Sequence, residues 1–458
     1  MKPRLPARLY AWLAVVLWAA AVAAAGGGSR NATIVPAAAA ADSAAADGLP
    51  GPRPQGHLNA TAPAGAADSD PDRDRDRYVP GLLTVAKLGV RLSQGLDLRV
   101  VATSGRTVEY AGGGGGGGRS SEPFHQRPDY GATFPAPGTS GGWAYVSNSE
   151  IPDGGGGVGV LTFDGGGEVT GYGRLLRGTD RNCGGGATGW GTFLSCEEAG
   201  GGHCHQLGPF GGEVHRNASR TSLGGSRGGH FESVASDERG RELGHPPTFY
   251  VTEDATRGAL RRFRPSVADW EDPATMLHGD GTFEYLVLQP TDGRGRFGRA
   301  RWTDDEDEAR DSAWRYYQYS EGIEIVGGTM YFTSRRGRDL FIVDIDAGTY
   351  EREHLPSTDL AFSPDQIVRL GGDGDMLYLT NHGWVRGAAG VYGRESRTGR
   401  YVPILESTVY DRLTTGLAFS PDGRHMYICF QKAGILFDVW RRDGRKFGGK
   451  PMNLKYRA

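Results

Sequence analysis

The sequence predicts an all-β protein: a six-bladed β-propeller with a metal site in its central channel. Three observations predict this. Short alternating runs with turn signals recur after about residue 80. A glycine and a second such run usually follow, at spacings of roughly 35–60 residues, as radially repeated antiparallel sheets require. The first runs also end in polar residues that could converge: NSE (148–150), SCEE (195–198), TED (252–254), TSRR (333–336) and TNH (380–382). Carboxylates meeting at the mouth of a channel repel one another unless cations neutralise them.

The chain has 458 residues, and its N-terminal part is not propeller. Lys2, Arg4 and Arg8 precede an apolar run from Leu9 to Ala25, followed by small residues. That layout predicts a signal peptide over residues 1–25, cleaved near Ala23–Gly27. The run is also at the short limit for a membrane anchor. No second apolar run follows, so no membrane span is expected after cleavage.

Residues 26–79 are rich in Ala, Gly, Pro and Asp and lack a periodic apolar face, which predicts a disordered low-complexity tail. It ends in the solvated charge run PDRDRDR (71–77). Sequons at Asn31, Asn59 and Asn217 fit a secreted glycoprotein, extracellular or at the cell surface. With 51 basic and 54 acidic residues the net charge is −3, against a nucleic-acid partner.

A single propeller domain is expected over residues 80–450, acting as a monomer. Its first runs are GWAYVSNSE (142–150), GTFLSCEE (191–198), TFYVTEDA (248–255), TMYFTSR (329–335), MLYLTNHG (376–383) and HMYICFQ (425–431). The second runs are GVGVLTFD (157–164), GALRRFRP (258–265), DLFIVDID (339–346), GVYGRES (390–396) and GILFDVW (434–440). FESVASDERG, EGIEIVGG and GLAFSPDGR resemble one another as inner-strand-plus-turn units. A pair of packed sheets is the alternative architecture. The polar segment 301–317 is the candidate helix.

There are four cysteines: Cys183, Cys196, Cys204 and Cys429. An oxidising compartment permits one or two disulfides, and Cys196 and Cys204 flank a glycine-rich turn across which they could pair. Cys429 sits in an apolar strand, where a buried thiol is ordinary.

The stretch RNCGGGATGWGTFLSCEE (181–198) resembles the signature of the PhoX-type alkaline phosphatase family and of related uncharacterised bacterial and algal secreted proteins. Supporting matches are ATFP (132–135) with NSE (148–150), YVTEDA (250–255), EGIE (321–324), SPDQI (363–367) and TGLAFSPDGR (415–424). The resemblance implies a six-bladed propeller that holds iron and calcium and hydrolyses small-molecule phosphate esters. It implies that Cys183 is an iron ligand and that Glu197, Glu198, Glu253 and Glu321 are carboxylate ligands, with Glu150 and Asp365 as further carry-overs. The chemistry is consistent: hard cations take oxygen ligands, and a thiolate among carboxylates suits a redox-capable transition metal.

The chain also departs from the family pattern. Tyr319 stands where the family has a phosphate-gripping arginine, and Leu413 where it has a glutamate. Asn381, His382 and Gly383 replace an EDG phrase, and Gly189 replaces a proline. Arg335, Arg336 and Arg386 are the arginines able to restore the lost charge, so Tyr319, Arg335 and Arg336 are the candidate catalytic residues. Two other functions compete with a secreted phosphatase. One is a calcium-holding propeller that serves as a binding module. The other is a transition-metal oxidoreductase using His203, His205 and His230.

Overall fold

The structure is a computed structural model that describes residues 76–448, apart from 112–116, 139–140, 211–218, 267–271, 273–274, 356–362, 371–375, 383–388, 408 and 411–412. The expected signal peptide, nearly all of the tail, the three sequons and Arg386 lie outside the described residues. The fold is mostly β. No helix among the described residues is long and apolar enough to cross a membrane.

Among the described residues the strands form sheets of six, thirteen, four, four and two strands, within which six four-stranded antiparallel sets follow one another. The first set is Pro128–Pro135, Trp143–Ser149, Gly157–Phe163 and Val169–Arg177. The second is Asn182–Ala187, Phe193–Gly202, Cys204–Leu207 and Ser219–Arg220. The third is Gly229–Asp237, Thr248–Glu253, Arg261–Pro265 and Gly281–Pro290. The fourth is Ser320–Val326, Thr329–Ser334, Asp339–Asp344 and Thr349–His354. The fifth is Ser363–Arg369, Met376–His382, Ala389–Glu395 and Tyr401–Ser407. The sixth is Thr414–Phe419, His425–Phe430 and Ile435–Arg441, completed by Leu96–Thr103 from the other end of the chain.

The first strands pack against one another in chain order, and the first strand of the sixth set packs back against that of the first. Each neighbouring pair of sets encloses its own apolar core. Phe134 and Val146 meet Phe193 between the first two sets. Cys196 and Leu194 meet Phe249 and Phe263 between the second and third. Tyr250 and Leu286 meet Phe332 and Phe341 between the third and fourth. The fourth and fifth share Leu340 and Leu379, and the fifth and sixth share Val391 and Phe437. Tyr427 and Leu436 meet Trp143 and Leu161 between the sixth and first. Alternation along the strands supplies both faces of each sheet with apolar side chains, so the sets stack face to face.

The helix runs over Glu306–Tyr316, after the strand Phe297–Thr303 takes the first part of the expected segment. Asp305 caps it, accepting from the N–H groups of Asp307 and Glu308 at 3.0 and 3.1 Å.

Candidate functional site

One backbone feature recurs in all six sets. The first strand carries a β-bulge, so that two of its residues face one residue of the second strand. The first residue in each bulge is Asp129, Cys183, Glu232, Glu321, Asp365 and Gly416. Five of the six therefore present a candidate ligand at the same end of the sets.

The residue two beyond the one that faces the bulge is fixed in turn by the residue two before the bulge. Backbone N–H groups of Glu150, Glu198, Asp254 and Arg335 donate to the carbonyls of Arg127, Arg181, His230 and Tyr319 at 3.0, 2.9, 2.8 and 2.9 Å. Arg127, Arg181 and Tyr319 all adopt the left-handed conformation there, with φ of 45°, 47° and 55°. The preceding set holds the bulge itself. Asn148 Nδ2 donates to the carbonyls of Cys183 and Gly184 at 2.8 and 2.7 Å, Thr252 Oγ1 to that of Glu321 at 2.6 Å, and Thr333 Oγ1 to that of Asp365 at 3.0 Å.

Two groups of ligand atoms result. Glu150, Cys183 and Glu198 each place one within 4.8 Å of the others, and so do Glu232, Glu321 and Asp365. Cys183 links the groups: its Sγ lies 3.4 Å from Glu232 Oε1 and 3.6 Å from Asp129 Oδ2. Gln431 Nε2 donates to Asp129 and, at 2.8 Å, to Glu150 Oε2.

Glu232 and Glu321 are 3% and 2% exposed, and Glu232 Oε2 has no hydrogen-bond partner. Burial, reinforced by neighbouring carboxylates, pushes both well above the usual carboxylate range, and burial does the same to the Cys183 thiol. Glu198 is lifted to about 8 by burial and then by the charge of Asp254. Asp365 is lifted to about 7 by burial against the opposing pull of Arg335. Buried acids this crowded must hold protons or share cations. An unpartnered, buried carboxylate oxygen beside two further acids fits a hard cation, and a thiol between carboxylates fits a transition metal.

The structure brings together Cys183, Glu198, Glu150, Glu321 and Asp365 from the sequence-based set. It does not bring Glu197 and Glu253 to them. Each lies one residue before Glu198 or Asp254 on its strand, and successive side chains point to opposite faces. Glu197 instead accepts from the N–H groups of Asp180 and His203 at 2.9 and 3.0 Å, and lies 3.3 Å from His205 Nε2. Burial would raise its pKa, but these hydrogen bonds outweigh it and hold the carboxyl below its usual range. Glu253 pairs with buried Arg261 at 3.4 Å.

Sequence reasoning missed Asp129, Glu232 and Asp254. Glu232 was within reach: aligning FESVASDERG with SEGIEIVGG sets it level with Glu321. Of the candidate catalytic residues, Arg335 lies against Asp254 and Glu321. Tyr319 lies beneath Arg335 and accepts from Thr256 Oγ1 at 2.7 Å, while Arg336 is exposed on the following turn. Among the described residues, neither ligand group includes His203, His205 or His230. Cys196 and Cys204 are paired in register, with thiols 2.7 Å apart and no bond to Cys183.

Comparison with known proteins gives one partial family match and several likenesses of fold. Residues 167–253 match the family model described as alkaline phosphatase PhoX. No curated protein matches the chain. Among solved structures, Pseudomonas fluorescens PhoX in complex with vanadate, a transition state analogue, superposes with a TM-score of 0.61 at 13% identity, covering 81% of this chain and 98% of that one. A Xanthomonas campestris gluconolactonase gives 0.43 at 14% identity, over 84% of this chain and 99% of its own. The Myceliophteria thermophila Cps50 (Swd1) β-propeller domain gives 0.40 at 11%, over 69% and 96%. At 13% identity the likeness to PhoX is one of fold.

Proposed function

We propose that this chain is a secreted, monomeric, metal-dependent phosphatase acting on phosphate esters, built as a six-bladed β-propeller with its cation cluster in the central channel. The observation that carries the proposal is the convergence of two ligand groups, four of whose six residues sit on the repeated bulges. The cyclic packing of the first strands, with a core between each pair of sets, supports the propeller architecture. The leader-like N-terminus supports secretion.

In this reading Glu150, Cys183 and Glu198 would hold iron, and Glu232, Glu321 and Asp365 calcium. Bound there, the cations would neutralise phosphate charge and lower the pKa of a coordinated oxygen nucleophile. The chain's own part is to hold the ligands rigidly and to bind the ester. Asn148, Thr252 and Thr333 fix the ligand-bearing backbone through the contacts described above.

Arg127 and Arg181 occupy the positions in the first two sets that Tyr319 occupies in the fourth. Arg127 Nη2 is 3.8 Å from Glu150 Oε2, and both arginines lower the pKa of Glu150 against its burial. We assign them to the phosphate oxygens. Tyr319 contributes one neutral O–H donor, which cannot reproduce a bidentate guanidinium grip.

The test is a phosphomonoesterase assay on the purified chain with calcium and iron supplied. The expected result is weak activity that chelation removes, Glu321→Ala abolishes and Tyr319→Arg raises. A wild-type chain and a Tyr319→Arg variant that are both inactive with every cation overturn the phosphatase reading. A cation-stabilised binding module then takes its place, because the chain lacks the family arginine while Arg335 is engaged by carboxylates.

A further inference from the structure

Glu150, Glu198, Asp254 and Arg335 hold one structural position in four successive sets: each lies two residues beyond the one that faces the bulge and donates its N–H to the residue two before the bulge. Three of them offer a carboxylate to the cluster. The fourth offers a guanidinium.

Arg335 reaches into the acids rather than out to solvent, with its side chain 22% exposed. Its Nη2 donates to both oxygens of Asp254, at 2.8 and 2.6 Å. Its Nε lies 3.0 Å from Glu321 Oε1, in an ion pair without hydrogen-bond alignment. Its Cζ stands 5.3 Å from the centroid of the Tyr319 ring, whose face favours a cation. Burial would loosen its proton, but the charges of Glu321, Asp254, Asp365 and Glu232 more than reverse that.

We propose that Arg335 is a built-in cation: its guanidinium fills a third cation position, between Asp254 and Glu321, so that external ions enter only the other two groups. A guanidinium stays charged at every physiological pH and cannot be lost to a chelator. Its planar donors suit carboxylates as a metal's coordination sphere would, while carrying a smaller charge. A metal ion at this position would have to displace it, because both oxygens of Asp254 are already taken. The inference rests on the proposed cation cluster but not on phosphate hydrolysis.

The test is metal stoichiometry. The full chain is equilibrated with calcium, freed of unbound ion and analysed by mass spectrometry for bound metal. Arg335→Ser should hold one more calcium per chain than wild type, and adding Asp254→Asn should remove the gain. Arg335→Gln, which keeps most of the side-chain volume while removing the charge, should also gain calcium, and it carries the test if the serine variant fails to fold. Arg335→Lys should gain none, since an ammonium still occupies the position. Neutral variants with the wild-type count overturn the inference while leaving the cluster's own cation binding intact. A gain in the lysine variant overturns it too. If wild type and all variants take up no cation, the cation reading falls together with this one.

Discussion

In the second set the bulge carries Cys183, and the strand beside it carries Glu198; in the sixth set the same bulge carries Gly416, and the neighbouring strand runs through Phe430 into Gln431. The backbone register is shared. The chemistry is not. Gly416 has φ of 65°, and a Cβ there would lie 2.5 Å from Tyr145 Oη and 2.9 Å from Cys429 Sγ, so this set has room for no ligand. Gln431 reaches across instead, bonding Asp129 and Glu150 as a neutral amide. The glycines of the second set serve a different end. A Cβ on Gly184 would overlap the carbonyl oxygen of Glu232, so the glycine lets two ligand-bearing strands approach closely. A repeated bulge thus supplies a position, and the local side chains decide whether it becomes a ligand.

The largest expected effect separates these two glycines. Gly184→Ala sets a methyl group against backbone, which cannot rotate away, and should cost about 4 kcal/mol or more. Gly416→Ala meets a hydroxyl, a thiol and an unfavourable φ, and should cost about 2–3 kcal/mol. Denaturant unfolding measures both, and equal losses would break the contrast between backbone and side-chain crowding.

Cation removal comes next. With Glu198 lifted to about 8 and Asp365 to about 7, the folded, cation-free chain keeps protons that the unfolded chain has released. The stability this adds is fully present below the usual carboxylate range and is lost as pH rises through 7 to 8. Thermal unfolding in chelator should therefore show Tm falling from pH 5 to pH 8. Calcium should flatten that slope, and its affinity should rise with pH as it displaces protons. A Tm in chelator that is constant or rises over this range would show that the acids do not share a buried cluster.

Exchanging the chemistry of the two sets sharpens the comparison further. Cys183→Ser removes the thiol and should lose bound iron while retaining calcium, read by metal analysis. Gln431→Glu adds an acid beside Asp129 and Glu150 and should cost about 1–2 kcal/mol without cations, on the scale of losing a buried hydrogen bond. Added calcium should recover that loss. The smallest effect is expected for Glu197→Gln. Asp180 and His203 donate to different carboxylate oxygens, so the amide keeps only one of the two acceptors; the substitution should cost about 1 kcal/mol, with metal content unchanged.

The sequence by itself determined the mostly-β character, the recurrence of strand–turn–strand units and the place of the helix. Those follow from alternation, glycine punctuation and one polar segment, all local properties of the chain. It also marked Cys183, Glu198, Glu321 and Asp365, because motif phrases carry them. Only the tertiary structure decided which of two adjacent acids faces the cluster. A strand alternates its faces, and a single bulge reverses which residues share one. Plain alternation along the second strands directs Glu198 and Asp254 inward and leaves Glu197 to His205 and Glu253 to Arg261, while the bulge acts on the first strands. The bulge is why Asp129 and Glu232, in phrases without a recognisable motif, join the cluster. Arg335 shows the same limit most plainly: its charge is written in the sequence, but the acids it would meet lie on other strands.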